Sequence, residues 1–405
     1  MERITDLERR YVLEVLEGQF RTSVGNSMTR RLEERFAAVF GCRYAISFIN
    51  GTATMHAALA AADIGPGDEV IVPPLTMAST AFAVLHAGAV PVFADVDPGT
   101  WTIDPASVEA AISPRTRGII PVAIYGLSPD MDSLMALAAR HGLFVLEDDA
   151  QCFLGTYKGR IVGSLGHAAS FSFQSSKHMT SGEGGMVTTD DAVLAERIRR
   201  FNSLGYAAVG AAAGKGKITR ETIQDPAYQR HASVGWNYRL PELCAAVALG
   251  QTERLQELVA ARVQAAHLYA EAARGCAWLV PQAVRDGYGH TYWTYVLKLD
   301  CGGAFSWYDF RARYRDLGGD GIYAAWQLTY LEPVFQNGSL RRASAARPAD
   351  APPSSGTAQS YGPGLCPVAE SLQPRLLQFK TNYWDAFGAE RQADVLARTI
   401  AHFGR

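Results

Sequence analysis

The chain has 405 residues, too many for one compact core, and is expected to divide into two or three domains. A formal net charge of −2 at pH 7 gives no electrostatic reason to expect nucleic-acid or acidic-membrane partners. The six cysteines are scattered with no C-x-x-C pair, which argues against a metal site or a disulfide framework. With no apolar N-terminal segment after Met1-Glu2-Arg3-Ile4 and no membrane-length apolar run, they suggest reduced thiols and a cytoplasmic location.

The first half alternates short apolar runs with helix-like segments. Tyr44 to Phe48 reads as a strand and Thr52 to Ala62 as a helix. Strand Glu69 to Pro73, helix Thr76 to Ala87 and strand Val90 to Val96 follow. Helix Pro105 to Ala111, strand Gly118 to Tyr125, helix Met131 to Arg140 and strand Leu143 to Asp148 continue the pattern. Two further strands, Ala168 to Phe173 and Met186 to Thr189, close the series. Strands separated by such helices predict βαβ units and a mostly parallel, seven-stranded sheet flanked by helices. Tyr206 to Lys217 is dominated by Gly, Ala and Lys, and no period runs on to Arg230; this reads as a long excursion, a lid or a dimer loop. One long helix is predicted from Pro241 to about Glu271, with Leu243, Val247, Leu255 and Leu258 on one side. A strand over Trp293 to Leu299, a helix over Trp307 to Leu317, a loop over Asn337 to Gln359 and a tail helix over Ala389 to Phe403 complete the reading. The expected division is a large domain over residues 1–250, with an N-terminal helical segment, and a smaller C-terminal α/β domain over 251–405.

In a parallel sheet the ligand crevice lies at the C-terminal strand ends. Asp148 ends the run Leu143-Phe144-Val145-Leu146, and Lys177 follows the run A-A-S-F-S-F before the turn Ser181-Gly182-Glu183-Gly184-Gly185. A lysine is ordinarily a solvated surface charge, and a buried aspartate is ordinarily a cap or half of an ion pair. Together at one crevice, they suit pyridoxal 5′-phosphate. The amine forms a Schiff base with the cofactor aldehyde, and the carboxylate pairs with the pyridinium nitrogen. Asp149 competes for that role, but on a strand it points to the opposite face. Gln151 is placed to meet the ring's 3′-oxygen, unless it is a plain surface amide. Gly51, Thr52 and Ala53 begin a helix whose N-terminus can take a phosphate, and Ser172 adds a hydroxyl. Each has a purely structural reading when taken singly.

The runs N-G-T-A-T-M-H-A-A-L, G-D-E-V-I-V-P-P-L-T and G-A-V-P-V-F-A-D-V-D-P resemble the DegT/StrS-type sugar aminotransferases. So do L-E-D-D-A-Q, F-S-F-Q-S-S-K-H-M-T-S-G-E-G-G, G-W-N-Y-R-L-P-E-L and C-P-V-A-E, in order along nearly the whole chain. The resemblance implies the fold-type-I aminotransferase architecture and a homodimer with shared active sites. It assigns the Schiff base to Lys177, the pyridinium contact to Asp148, the ring region to Gln151 and the phosphate to Gly51, Thr52 and Ser172. Asn237, from G-W-N-Y-R, would reach the phosphate of the neighbouring subunit. Met77 stands where members often carry a ring stacked on the pyridine; its thioether can pack on the same face. The form K-x-M-T-S-G-E-G-G, with Gln174 upstream, is similar to the subgroup acting on cyclitols and aminohydroxybenzoate precursors, which implies L-glutamine or L-glutamate as donor and a keto-sugar or keto-cyclitol as acceptor. Candidate substrate contacts are Tyr206, Arg239, His290, Tyr323 and Trp326.

Two other readings use the same fold. Sugar dehydratases of this family carry histidine in place of the lysine, whereas Lys177 is present and His178 is its neighbour. A non-catalytic regulatory paralogue would show a broken lysine site or an added basic domain, and neither is found. A nicotinamide enzyme is disfavoured because no G-x-G-x-x-G follows the first strand.

Overall fold

The computed structural model describes residues 2–21, 27–212, 218–336 and 360–404. Its strands are β1 (Tyr44–Phe48), β2 (Glu69–Val72), β3 (Val90–Phe93), β4 (Thr116–Ile119), β5 (Phe144–Asp148), β6 (Thr156–Tyr157) and β7 (Arg160–Ile161). There follow β8 (Ala168–Ser172), β9 (Gly185–Thr189), β10 (Leu279–Pro281), β11 (Tyr288–Gly289), β12 (Thr294–Leu299), β13 (Tyr323–Ala324) and β14 (Leu376–Lys380).

Seven of them form one sheet in the order β1-β9-β8-β5-β4-β2-β3. β3, β2, β4, β5 and β8 run parallel, β9 is antiparallel to both of its neighbours, and β1 therefore points the same way as β8. The predicted seven strands are all present, with the mostly parallel order expected. Residues of β2, β5, β8 and β9 are almost wholly buried, as befits strands covered on both faces. The reversal of β9 has a local effect: its first residue, Gly185, lies opposite both Phe48 and Ser172. A strand start thus joins two strand ends at one edge.

Close approach at that edge demands small residues. A Cβ on Gly185 would lie 2.8 Å from the Asn50 carbonyl, and one on Gly51 would lie 2.9 Å from Ser172 Cβ. The helix Gly51–Ala61 that follows is alanine-rich and buried nearly all round, so it sits directly on β8 and β9. Behind it, Glu33 fixes β1. Its carboxylate accepts from Ser47 N and Oγ, both at 2.9 Å, and pairs with both terminal nitrogens of Arg199 at 2.8 and 3.2 Å. Both side chains are nearly excluded from solvent.

The remaining sheets are a four-stranded β10-β12-β14-β13 and a three-stranded β11-β6-β7. The C-terminal helix Ala386–Phe403 and the helix Leu255–Ala273 cover the four-stranded sheet. The single helix expected from Pro241 to Glu271 is instead two, Glu242–Glu253 and Leu255–Ala273. At Arg254 the backbone leaves the helical region (φ −103°, ψ 9°). Its guanidinium turns to the N-terminal residues, donating to Glu8 Oε1 at 3.0 Å and to the carbonyls of Glu2 and Arg3. Leu243 and Val247 are only half-buried; the core face of the first helix is Ala245, Ala248, Leu249 and Thr252. The predicted loop Asn337 to Gln359 lies outside the described residues, as does part of the glycine- and lysine-rich excursion, whose described portion holds a short helix, Arg220–Gln224. Among the described residues no helix is long and apolar enough to cross a membrane.

Removing one partner of a buried ion pair strands the other charge. Arg199→Met is therefore expected to lower unfolding free energy by about 3 kcal/mol, seen as an earlier denaturant midpoint with an unchanged slope. A loss below about 1 kcal/mol would place the pair with solvated surface bridges.

Candidate active site

Strand alternation sorts the three consecutive carboxylates at the end of β5. Glu147 turns to the loop after β7 and accepts from Gly163 N, Leu165 N and Gly166 N at 2.7 to 3.1 Å. Its job is structural. Asp149 is fully buried, its Oδ2 has no partner, and burial with the neighbouring Glu147 and Asp148 charges pushes its carboxyl well up. Asp148 faces the crevice. Its Oδ2 accepts from Thr80 Oγ1 at 2.8 Å and its Oδ1 from Ala150 N at 3.3 Å. Burial raises its pKa, against the opposing pull of the Thr80 hydroxyl and the Lys177 charge. A buried carboxylate with so few donors has capacity left for a cation.

Lys177 follows β8 by a tight turn. Its backbone N–H donates to Gln174 O at 2.9 Å, and beyond it Phe173 and Ser181 close the loop through Phe173 N to Gly184 O and Ser181 N to Phe173 O. The side chain keeps partial exposure and Nζ lies 4.5 Å from the centroid of the Trp293 ring. Burial pulls the amine down to about 8, Asp148 pulls it back up, and Arg262 lowers it further. His178, next in the chain, is fully buried and donates from Nε2 to Thr291 O at 2.9 Å, leaving Nδ1 without a partner; burial first, then the Arg262 charge, keep it neutral.

The opposite end of the crevice is the start of helix Gly51–Ala61. Asn50 Oδ1 accepts from Ala53 N at 2.8 Å. Ala53, a predicted phosphate contact, therefore spends its N–H on the cap, and the outward donors are Gly51 N, Thr52 N and the Thr52 and Ser172 hydroxyls. Gln151 is buried, not a surface amide: its Oε1 accepts from Tyr125 N at 2.8 Å, and its Nε2 donates to no described residue. Tyr125 holds a positive φ of 62° there. Met77, roughly half-exposed, precedes the helix that carries Thr80.

The other predicted contacts divide. Trp326 is brought in, its ring 5.8 Å from that of Trp293. His290 is committed elsewhere: Nε2 donates to Gln282 Oε1 at 3.0 Å, Nδ1 accepts from Tyr292 N at 2.9 Å, and burial lowers its pKa to about 3. Asn237 and Arg239 are exposed, as are Tyr323 and, less so, Tyr206, which packs on His231; no hydrogen bond among the described residues joins these four to the Lys177 cluster. Thr80, Trp293 and Arg262 belong to the site and were not anticipated. Only Arg262 left a trace in the sequence: it occupies the apolar stripe Leu255, Leu258, Val259, Ala265, Ala266, Tyr269 of its helix. No group of His, Cys, Asp and Glu among the described residues is arranged to hold a metal ion.

An amine with a lowered pKa, a buried acid with spare acceptors and a helix start too tight for a Cβ together fit pyridoxal phosphate. Residues 2–349 match the DegT/DnrJ/EryC1/StrS aminotransferase family. The chain belongs to this family. It is a pyridoxal-phosphate-dependent aminotransferase of fold type I. It is 40% identical over 299 residues to a GDP-perosamine synthase of Caulobacter vibrioides, covering 73% of this chain and 76% of the relative. Over 259 residues it is 40% identical to a putative L-glutamine:3-amino-2,3-dideoxy-scyllo-inosose aminotransferase of Streptoalloteichus tenebrarius, covering 64% and 58%. The solved aminotransferase of Psychrobacter cryohalolentis superposes with a TM-score of 0.83 at 31% identity, over 99% of this chain and 98% of that one.

Gly51→Ala in this aminotransferase forces a methyl against the Ser172 side chain and backbone. Such overpacking costs about 1–3 kcal/mol, so a clear fall in Tm is expected. An unchanged Tm would mean that Ser172 can retreat freely.

Proposed function

We propose that this aminotransferase carries its cofactor on Lys177 and passes an amino group from L-glutamine or L-glutamate to a keto-sugar or keto-cyclitol. The observation that carries the reading is the amine of Lys177, lowered to about 8, set opposite the buried Asp148 at one sheet edge. When bound, pyridoxal phosphate supplies an aldehyde for the amine and an electron sink for the bonds at the donor's Cα.

Lys177 Nζ, in its neutral form, would take the proton from the donor Cα and later return one to the acceptor's carbonyl carbon. Asp148, ionised against a ring cation, keeps that cation protonated, with the Thr80 hydroxyl holding the carboxylate in place. Gln151 Nε2 is free to orient the ring oxygen. Gly51 N, Thr52 and Ser172 Oγ bind the phosphate, and Met77 covers the ring face. Trp326, beside Trp293, is the substrate contact that the geometry favours among those predicted.

Donor and acceptor follow from the relatives. One is named for a nucleotide-linked amino sugar, and the other for glutamine and an aminocyclitol ketone. The product class is therefore an amino sugar or aminocyclitol. A homodimer is part of the same reading. Val234 is 88% and Trp236 49% exposed, an apolar pair beside Asn237 whose burial would bring that residue to a neighbour's phosphate. The two larger sheets support the division into residues 1–250 and 251–405, while the three-stranded sheet β11-β6-β7 crosses it. The seven-stranded one lies wholly in the first part and the four-stranded one in the second.

The purified protein should absorb near the visible edge, and L-glutamine or L-glutamate should move that band to shorter wavelength. Lys177→Ala should lose the band and slow transfer at least about a hundredfold. No band in wild type after incubation with pyridoxal phosphate defeats the reading, and a band that no amino donor moves points to other chemistry on the same cofactor. The pH dependence has a definite sign. Only the neutral amine attacks the aldehyde, so cofactor uptake by the apoprotein should fall about tenfold per unit below pH 8 and level off above it.

A further inference from the structure

Arg262 is 1% exposed, in the middle of the core stripe of its helix. No carboxylate pairs with it among the described residues. Its acceptors are neutral: Nη2 donates to Ser176 O and Lys177 O, both at 2.8 Å, and Nη1 to Trp293 O at 2.7 Å and Thr381 Oγ1 at 3.3 Å. Nε has no partner among the described residues. A guanidinium stays charged even when buried. A buried cation with no carboxylate among the described residues, and only the Trp384 ring 6.0 Å from its guanidinium carbon, calls for a reason that an apolar residue could not supply.

The acceptors supply it. Two are the carbonyls of the lysine turn, and a third belongs to Trp293, whose ring faces Nζ and whose Nε1 donates to Ser176 O at 3.0 Å. Thr381, the fourth, donates in turn to the carbonyls of Tyr292 and Trp293 at 2.7 and 2.9 Å. We infer that Arg262 is a positioning residue of the transfer reaction: one buried fork fixes the lysine turn against the wall that faces its amine. This rests on Lys177 being the cofactor lysine.

The charges that face Lys177 pull in opposite directions. Asp148 on β5 and the Trp293 π-face favour the ammonium. Arg262 opposes it, and Arg3 faces the same turn only through its carbonyls, its Nη2 reaching Lys177 O at 3.3 Å and Ser175 O at 2.5 Å. His178 beside it is neutral. Arg262 is the one whose charge, after burial, lowers the amine.

The test uses the full chain as Arg262→Gln and Arg262→Lys, with Arg199→Met as a destabilised control remote from the turn. Cofactor uptake is followed by absorbance against pH, together with kcat, KM and Tm. Arg262→Gln should move the uptake inflection up by about one pH unit, as loss of a nearby like charge requires. Arg262→Lys loses the fork and with it about tenfold in kcat at little change in donor KM. Arg199→Met should leave the inflection in place. An unmoved inflection in Arg262→Gln, or wild-type kcat in Arg262→Lys, overturns the inference. If Arg262→Gln does not fold, the lysine variant decides alone. Failure of wild type to take up pyridoxal phosphate would instead defeat the assignment of Lys177.

Discussion

Exclusion of water at one edge of the large sheet governs everything else in this enzyme. Glu147, Asp148 and Asp149 are consecutive, and all three are buried. A carboxylate in that position must collect donors or take up a proton. Glu147 collects three backbone N–H groups and becomes a fixture of the loop behind it. Asp148 collects one hydroxyl and one long backbone contact, so its need for a cation is unmet within the protein's own carboxylate shell. The same desolvation that disfavours an ionised Asp148 also disfavours an ammonium at Lys177. Burial thus pushes both groups toward their neutral forms.

The two halves of the chain meet at this edge through backbone contacts. Asp95, just past β3, accepts from Val368 N and Ala369 N at 2.8 and 2.9 Å, capping the short helix within C-P-V-A-E. Pro74 O accepts from both Thr329 N and Thr329 Oγ1. Val296, Tyr330 and Leu376 share one apolar cluster with Ile46 and Val70. Contacts of this kind leave the smaller sheet little freedom to drift relative to β5 and β8, so the groups at those strand ends keep a fixed relation to it.

What the sequence revealed and what it hid follow from the range of the interactions. β5 and β8 are short apolar runs ended by chemistry-bearing residues, so local pattern was enough to place Asp148 and Lys177 at one sheet edge and to find the sheet itself. The start of the Gly51–Ala61 helix was equally legible, but not that the Asn50 side chain would claim Ala53 N. Thr80, Trp293 and Arg262 reach the site from distant segments, and no local period marks their destination. The break at Arg254 was hidden for the same reason, since its cause is the N-terminal segment far away in sequence. The partners of His290, Gln282 and the Tyr292 backbone, are set by a loop shape that composition does not encode.

The antiparallel seam between β8 and β9 has a bearing on how the site is assembled. The lysine turn is closed by strands adjacent in sequence, whereas its bond to Arg262 spans 85 residues and the one to Trp293 spans 117. Loop-closure entropy rises with span, if slowly, and contacts that are near in sequence are the ones formed first. On a growing chain the turn bearing the amine can thus exist before the helix that clamps it has been made. The amine is placed early, and its chemical environment is completed late.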